Sequence, residues 1–250
     1  MKGMLEVKSL SKHFGGLLAV DNINVSVRKG EIVGIIGPNG AGKTTFFNLI
    51  TGFITPDNGD VLVNGANVAG WKPHNIVRNG ISRTFQIPHM FSSLKVRENV
   101  IVSLLAKKGN KILSSKDSHF GDANSILEKV GLKDKVNFLA GSLGQGDQRK
   151  LEFARALATN PDILLIDEPF SGLSLKEVDV LIPLIQKLNK EGLSIIIIEH
   201  KLRELMRLAE RVIVLNFGRL IADGTPEEIA NNEEVVEAYL GKGGRHFAIS

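Results

Sequence analysis

The sequence predicts an α/β fold: a parallel sheet packed between helices, an antiparallel β subdomain at the N-terminal end, and a helical insertion. Three observations carry this expectation. Ile163 to Ile166, Ser194 to Ile198 and Val212 to Leu215 are continuous aliphatic runs, as in parallel strands buried on both faces. Ile23-Asn24-Val25-Ser26-Val27-Arg28 instead alternates apolar and polar residues, which suits an antiparallel sheet wet on one face. A glycine-rich octapeptide, GPNGAGKT, follows the apolar run Glu31 to Ile36 and opens the helix-compatible segment Thr45 to Ile50. Strand, glycine loop and helix in that order form a phosphate cradle.

The remaining elements follow the same logic. Asp60-Val61-Leu62-Val63-Asn64-Gly65 reads as another strand of the antiparallel sheet, ending in an Asn-Gly turn. Gly80 to Phe85 is strand-like. From Ile87 to Ser142 there is no aliphatic strand run, and polar, helix-compatible stretches such as Asp122 to Val130 fill the segment. It reads as a helical insertion, with Lys107 to Ser118 as its loop. Leu151, Ala154 and Ala158 recur at helical spacing, as do Val178, Leu181, Ile182 and Ile185. Pro183 lies inside the second pattern and is expected to kink or break it early. The expected organisation is a core with the antiparallel subdomain over 1–86 and 150–240, a helical subdomain over 87–149, and a frayed tail over 241–250.

Composition narrows the function classes. With 250 residues there is room for one large α/β domain, and no cysteine is present, so disulfides and thiolate metal sites are excluded. No apolar stretch reaches the ~18 residues of a membrane span, and MKGMLEVKSL lacks a signal-peptide core. The net charge of +4 comes without a dense Lys/Arg block. That favours a solvated surface over a nucleic-acid groove, while weak attraction to an anionic membrane surface stays open.

The phosphate loop comprises Gly37, Pro38, Asn39, Gly40, Ala41, Gly42, Lys43 and Thr44, with Thr45 following. Backbone N–H groups freed by the glycines turn toward phosphate oxygens, and the helix N-terminus adds a favourable dipole. Lys43 is expected to reach the β- and γ-phosphates, and Thr44 to hold Mg²⁺. The second signal is a buried strand ending in two carboxylates, Asp167 and Glu168. At the C-terminal edge of a parallel sheet they stand beside the phosphate loop. Asp167 then supports the metal and Glu168 polarises the attacking water. His200, just past the run ending at Glu199, lies at a third strand end within reach of the γ-phosphate or the water. This set implies nucleoside triphosphate binding and hydrolysis with Mg²⁺; that the triphosphate is ATP is implied by the resemblance that follows.

From about Leu5 to Leu240 the chain resembles the ATP-binding cassette family, the ATPase subunits of ABC transporters. GPNGAGKT matches the Walker A motif, ILLIDE the Walker B motif and His200 the switch histidine. Gln86 in RTFQ matches the Q-loop glutamine, which in the family touches metal and nucleophilic water. Phe14 in KHFGG matches the aromatic that stacks on adenine, and Val20 joins the nucleotide-contacting set. Ser171-Gly172-Leu173-Ser174 matches the D-loop, with Ser174 where an acidic or amide residue is more usual. The signature departs most: Leu143, Gly144, Gln145 and Gly146, then Asp147, replace LSGGQ. In the family this motif closes over ATP held by the opposite subunit. Gly144 lacks the serine hydroxyl, and a hydrogen bond to a charged group contributes about 1.5–3 kcal/mol. The resemblance therefore implies weakened closure on the partner's ATP, set against the reading of a tolerated variant.

FGGLLAVDNINVSV, GISRTFQIPHMF, KVRENV and EEVVEAYLG are similar to the branched-chain amino acid importer ATPases. The implied partners are two permease subunits, a second ATPase subunit and, indirectly, an extracytoplasmic binding protein, at the cytoplasmic side of the membrane. Urea or amide importers, the lipopolysaccharide-export ATPase and soluble non-transport cassettes are the alternatives. A GTPase would require Asn-Lys-x-Asp, and Asn189-Lys190-Glu191-Gly192 lacks the aspartate.

Overall fold

A computed structural model describes residues 4–86, 89–108 and 116–240. In chain order the elements begin with β1 (Leu5–Phe14), β2 (Leu17–Val27), β3 (Ile32–Ile36), α1 (Lys43–Ile50), β4 (Asn58–Val63), β5 (Ala66–Asn67), α2 (Pro73–Arg78) and β6 (Ile81–Arg83). Then come α3 (Val96–Lys108), α4 (Lys116–Lys129), α5 (Gln145–Leu157), β7 (Ile163–Asp167), α6 (Leu175–Lys190), β8 (Ser194–Ile198) and α7 (Leu202–Met206). The chain continues through β9 (Arg211–Asn216), β10 (Arg219–Gly224), α8 (Pro226–Ala230) and α9 (Glu233–Leu240).

Two sheets form, as the two kinds of apolar pattern require. The alternating strands build an antiparallel sheet in the order β2-β1-β4-β5, and the aliphatic runs build a six-stranded sheet in the order β10-β9-β3-β8-β7-β6. In the second sheet β9, β3, β8, β7 and β6 are mutually parallel, and only β10 runs antiparallel. The turn between β4 and β5 has positive φ at both Asn64 (51°) and Gly65 (87°), the geometry an Asn-Gly hairpin favours.

The aliphatic runs are continuous because each strand feeds two cores. Ile32, Leu164, Ile166, Ile195, Ile197, Val212 and Val214 pack with the helical elements α3 to α6. Their alternating neighbours Val33, Ile35, Leu165, Ile196, Ile198, Ile213 and Leu215 pack with α1 and the antiparallel sheet. Successive strand residues point to opposite faces, so a sheet covered on both sides has no polar positions to spare. Full burial of each such side chain contributes about 1.5–3 kcal/mol.

Two expectations change. α6 runs uninterrupted through Pro183 over Leu175–Lys190. Pro183 lies on the exposed face, and the buried residues Val178, Leu181, Ile182, Ile185 and Leu188 hold the helix against the core on its other side. Packing thus outweighs the ~3 kcal/mol propensity cost of an internal proline. Of the stretch expected as a loop over Lys107–Ser118, its first two residues belong to α3 and its last three to α4; residues 109–115 and the tail 241–250 lie outside the described residues. One continuous helix, α5, with Leu151 and Ala154 buried, runs through positions 149 and 150.

The Candidate nucleotide site

Strand order determines where the chemistry collects. β3, β8, β7 and β6 are adjacent and parallel, so their C-terminal ends share one edge of the sheet, with neighbouring strands about 4.8 Å apart. The phosphate loop follows β3, His200 follows β8, Asp167-Glu168 closes β7, and Gln86 lies just past β6. Four segments distant in sequence meet there.

The loop is shaped by close backbone approaches. Gly42 is the N-cap of α1 with φ 97°, and a Cβ there would come within 2.5 Å of the Ala19 carbonyl oxygen. At Gly37 a Cβ would lie 2.1 Å from the Leu215 carbonyl oxygen. Only glycine fits either position. Lys43 Nζ donates to the carbonyls of Gly37 (2.6 Å) and Pro38 (3.0 Å), folding back over its own loop. Burial pulls its pKa down, and the charges of Glu168 and Asp167 oppose that. A lysine with nearby carbonyls as its acceptors can exchange them for phosphate oxygens.

Glu168 has φ 46°, an uncommon conformation for a non-glycine residue. Its N–H donates to the Ile198 carbonyl at 2.9 Å, and its side chain is held at both oxygens. Gln86 Nε2 donates to Oε2 at 2.8 Å, and His200 Nε2 lies 3.1 Å from Oε1. The three residues expected to act on water therefore form one cluster. Glu199 anchors the histidine: its carboxylate accepts from the N–H groups of Phe170 (2.8 Å), His200 (2.8 Å) and Lys201 (3.0 Å). Burial raises the Glu199 pKa while those three N–H groups lower it. Nothing local in the sequence marks Glu199 out, because its role depends on loops that only folding brings near.

A cleft of about 450 Å³ opens over the loop, lined by Phe14, Leu17, Leu18, Ala19, Asn39 to Thr45, Glu168, His200 and Phe217. Phe14 is half exposed, as suits a stacking surface. Val20 is fully buried in the core instead; the strand meets the cleft through Leu17, Leu18 and Ala19. Phe217 was not singled out by its sequence. It tips the β9–β10 turn at φ 45° and is 83% exposed. Hydrogen bonds tie that turn to the site: Gly218 N–H donates to the Ala41 carbonyl at 3.0 Å, and Asp21 N–H to the Gly218 carbonyl at 2.9 Å.

Among the described residues no group of three or more His, Cys, Asp or Glu could hold a metal unaided. The oxygen donors at the site, the Thr44 hydroxyl and the Asp167 carboxylate with the Gln86 amide, suit Mg²⁺, which is commonly bound by one or two carboxylates plus substrate phosphates. The donor chemistry fits the ion. Asp167 Oδ2 accepts from Arg83 Nη2 at 2.6 Å.

None of Leu143, Gly144, Gln145 and Gly146 lines this cleft. Gly144 is the N-cap of α5 with no side-chain cap bond, and Gly146 N–H donates to Glu177 Oε1 at 3.1 Å. Ser174 makes a capping box with Glu177 at the start of α6, so the serine that departs from the D-loop pattern is a well-placed helix cap.

The sequence matches the family profile described as "ABC transporter" over residues 20–171. The chain belongs to that family. This ABC cassette also matches the profile described as "Branched-chain amino acid ATP-binding cassette transporter" over residues 219–245. It is 42% identical over 250 residues to the high-affinity branched-chain amino acid transport ATP-binding protein LivG of Escherichia coli K12, and 40% identical to BraF of Pseudomonas aeruginosa. Both alignments cover 96% of this chain and 98% of the relative. A nucleotide-free ATP-binding cassette from an ABC transporter shares the fold with a TM-score of 0.86 at 31% identity, covering 96% of this chain and 99% of that one. The cassette is an ATP-hydrolysing subunit of α/β architecture, and no helix among its described residues is long and apolar enough to cross a membrane.

Proposed function

We propose that this cassette hydrolyses ATP to energise import of branched-chain amino acids through two partner permeases, served by an extracytoplasmic binding protein. The observation that carries the substrate class is the match of residues 219–245 to the branched-chain cassette profile, supported by the full-length similarity to LivG and BraF. Its place is the cytoplasmic side of the membrane, docked on the permeases.

The roles proposed for these residues draw on the site geometry and on the family resemblance. Loop amides and Lys43 grip the β- and γ-phosphates. Thr44, Asp167 and Gln86 would hold Mg²⁺, which offsets charge on the transferring phosphoryl group. Glu168 takes the proton of the attacking water as general base, a contribution of about 10²–10⁴ in rate. Gln86 and His200 keep its two oxygens aimed, which matters because positioning supplies most of the acceleration in phosphoryl transfer. Phe14 supplies the face for adenine. A second cassette completes the site: the segment Leu143 to Gly146 of one subunit closes over ATP held by the other, in keeping with its place outside its own cleft.

Reconstitution tests the reading. The cassette, purified with its cognate permeases and placed in proteoliposomes with the binding protein, should drive ATP-dependent uptake of radiolabelled leucine, isoleucine or valine. Uptake of urea or an amide instead, with none of these amino acids, overturns the substrate assignment.

A further inference from the structure

Arg83 opens the RTFQ stretch without a role assigned to it above, yet its side chain is tightly constrained. It ends β6 and reaches across to the neighbouring strand β7, where Nη2 donates to Asp167 Oδ2 at 2.6 Å. The pair is buried, its side chains 7% and 9% exposed. Nη1 donates to Asn48 Oδ1 at 2.6 Å, on the helix that follows the phosphate loop. The rings of Phe47, Phe53 and Phe85 surround the guanidinium, their centroids 5.5, 5.9 and 5.2 Å from Cζ.

Burying an ion pair costs desolvation that its attraction often fails to recover, so stability alone is a weak reason for one. Orientation is a better one. The planar fork of an arginine, fixed on one side by Asn48 and on its faces by aromatic rings, holds a carboxylate oxygen in a defined place. With Oδ2 held, rotation of the Asp167 carboxylate is arrested. We infer that Arg83 is a positioning residue that orients Asp167 for Mg²⁺ uptake with the nucleotide, anchored for that task by Asn48. The inference rests on the reading of Asp167 as a metal-side carboxylate.

Magnesium titration of the binding of a non-hydrolysable fluorescent ATP analogue to the purified cassette tests it. Arg83→Lys and Arg83→Gln should raise the Mg²⁺ concentration for half-maximal binding about tenfold or more, with affinity in EDTA changed less than twofold. Asn48→Ala, which frees the fork and leaves its charge, should shift Mg²⁺ in the same direction about threefold; it decides the matter if the Arg83 variants fail to fold. An unchanged Mg²⁺ midpoint, or an equal loss of affinity with and without Mg²⁺, overturns the inference. Asp167→Asn separates the two levels. A shifted midpoint there with flat Arg83 and Asn48 variants sinks only the role of Arg83, whereas a flat Asp167 variant sinks the metal-side reading and the inference together.

Discussion

Gln86 donates its side-chain N–H to Glu168 across 2.8 Å, although 82 positions separate the two residues in the chain. With His200 on the other oxygen, the carboxylate proposed as general base is clamped before any water arrives. The clamp joins the ends of β6, β7 and β8 into one working unit.

Residues that act as a unit give non-additive losses. Glu168→Gln should bind ATP with near-normal affinity and hydrolyse it at least about a hundredfold more slowly, the lower bound for removal of a general base. His200→Ala should lower kcat by a smaller factor, and the double variant should be no slower than Glu168→Gln alone. Steady-state phosphate release on the three proteins checks this; multiplied losses in the double variant would show that the histidine acts independently of Glu168.

Phe14 and Phe217 both line the nucleotide cleft. Stacking of one base on an aromatic ring is worth about 1–3 kcal/mol, so Phe14→Ala should raise the ATP Kd about five- to a hundredfold. Phe217→Ala should weaken binding in the same direction, because its ring overhangs the same space. Equilibrium binding of ATP and of inorganic triphosphate distinguishes base contact from loop damage: triphosphate affinity should stay constant in both variants.

The sole tyrosine of the chain is Tyr239, which packs against the core from α9. Burial pushes its pKa up to about 12, against a hydrogen bond from the Gly37 backbone that lowers it. A raised pKa means that the protonated form is favoured in the fold. Its stabilising contribution is therefore complete below the ordinary value near 10 and is lost as pH climbs from there through about 12. Alkaline difference absorbance should show one tyrosinate transition near 12 in the folded protein, moving to about 10 on unfolding. A native midpoint near 10 would place the ring in solvent.

Ser174 caps α6 by accepting from the Glu177 N–H. Ser174→Ala should cost about 1 kcal/mol, or roughly 2–4 °C in Tm for a chain of this size. Ser174→Asp, which restores the acidic residue of the family pattern, should keep the cap and the Tm. Thermal melts of the three proteins decide it.

Much of the site was legible because its parts are local. GPNGAGKT carries its glycines at the positive-φ positions Gly37 and Gly42, and the two carboxylates end an aliphatic run that reads as a buried strand. Arg83, Glu199 and Phe217 were not legible, since each is an ordinary residue until a distant segment is laid beside it. Pro183 misled for the same reason: local propensity argues for a break, while the buried face of α6 holds the helix together.

By itself the sequence determined which strands are buried on both faces, that a phosphate loop joins a strand to a helix, and which residues carry charge at strand ends. These are encoded in patterns a few residues long, where side-chain periodicity and backbone sterics act directly. Only the tertiary structure decided that β6, β7, β8 and β3 lie side by side, which brings Gln86, Glu168 and His200 within hydrogen-bonding distance and sets Arg83 against Asp167. Strand order depends on the burial of two whole cores, a sum over the entire chain to which no short segment alone holds the answer.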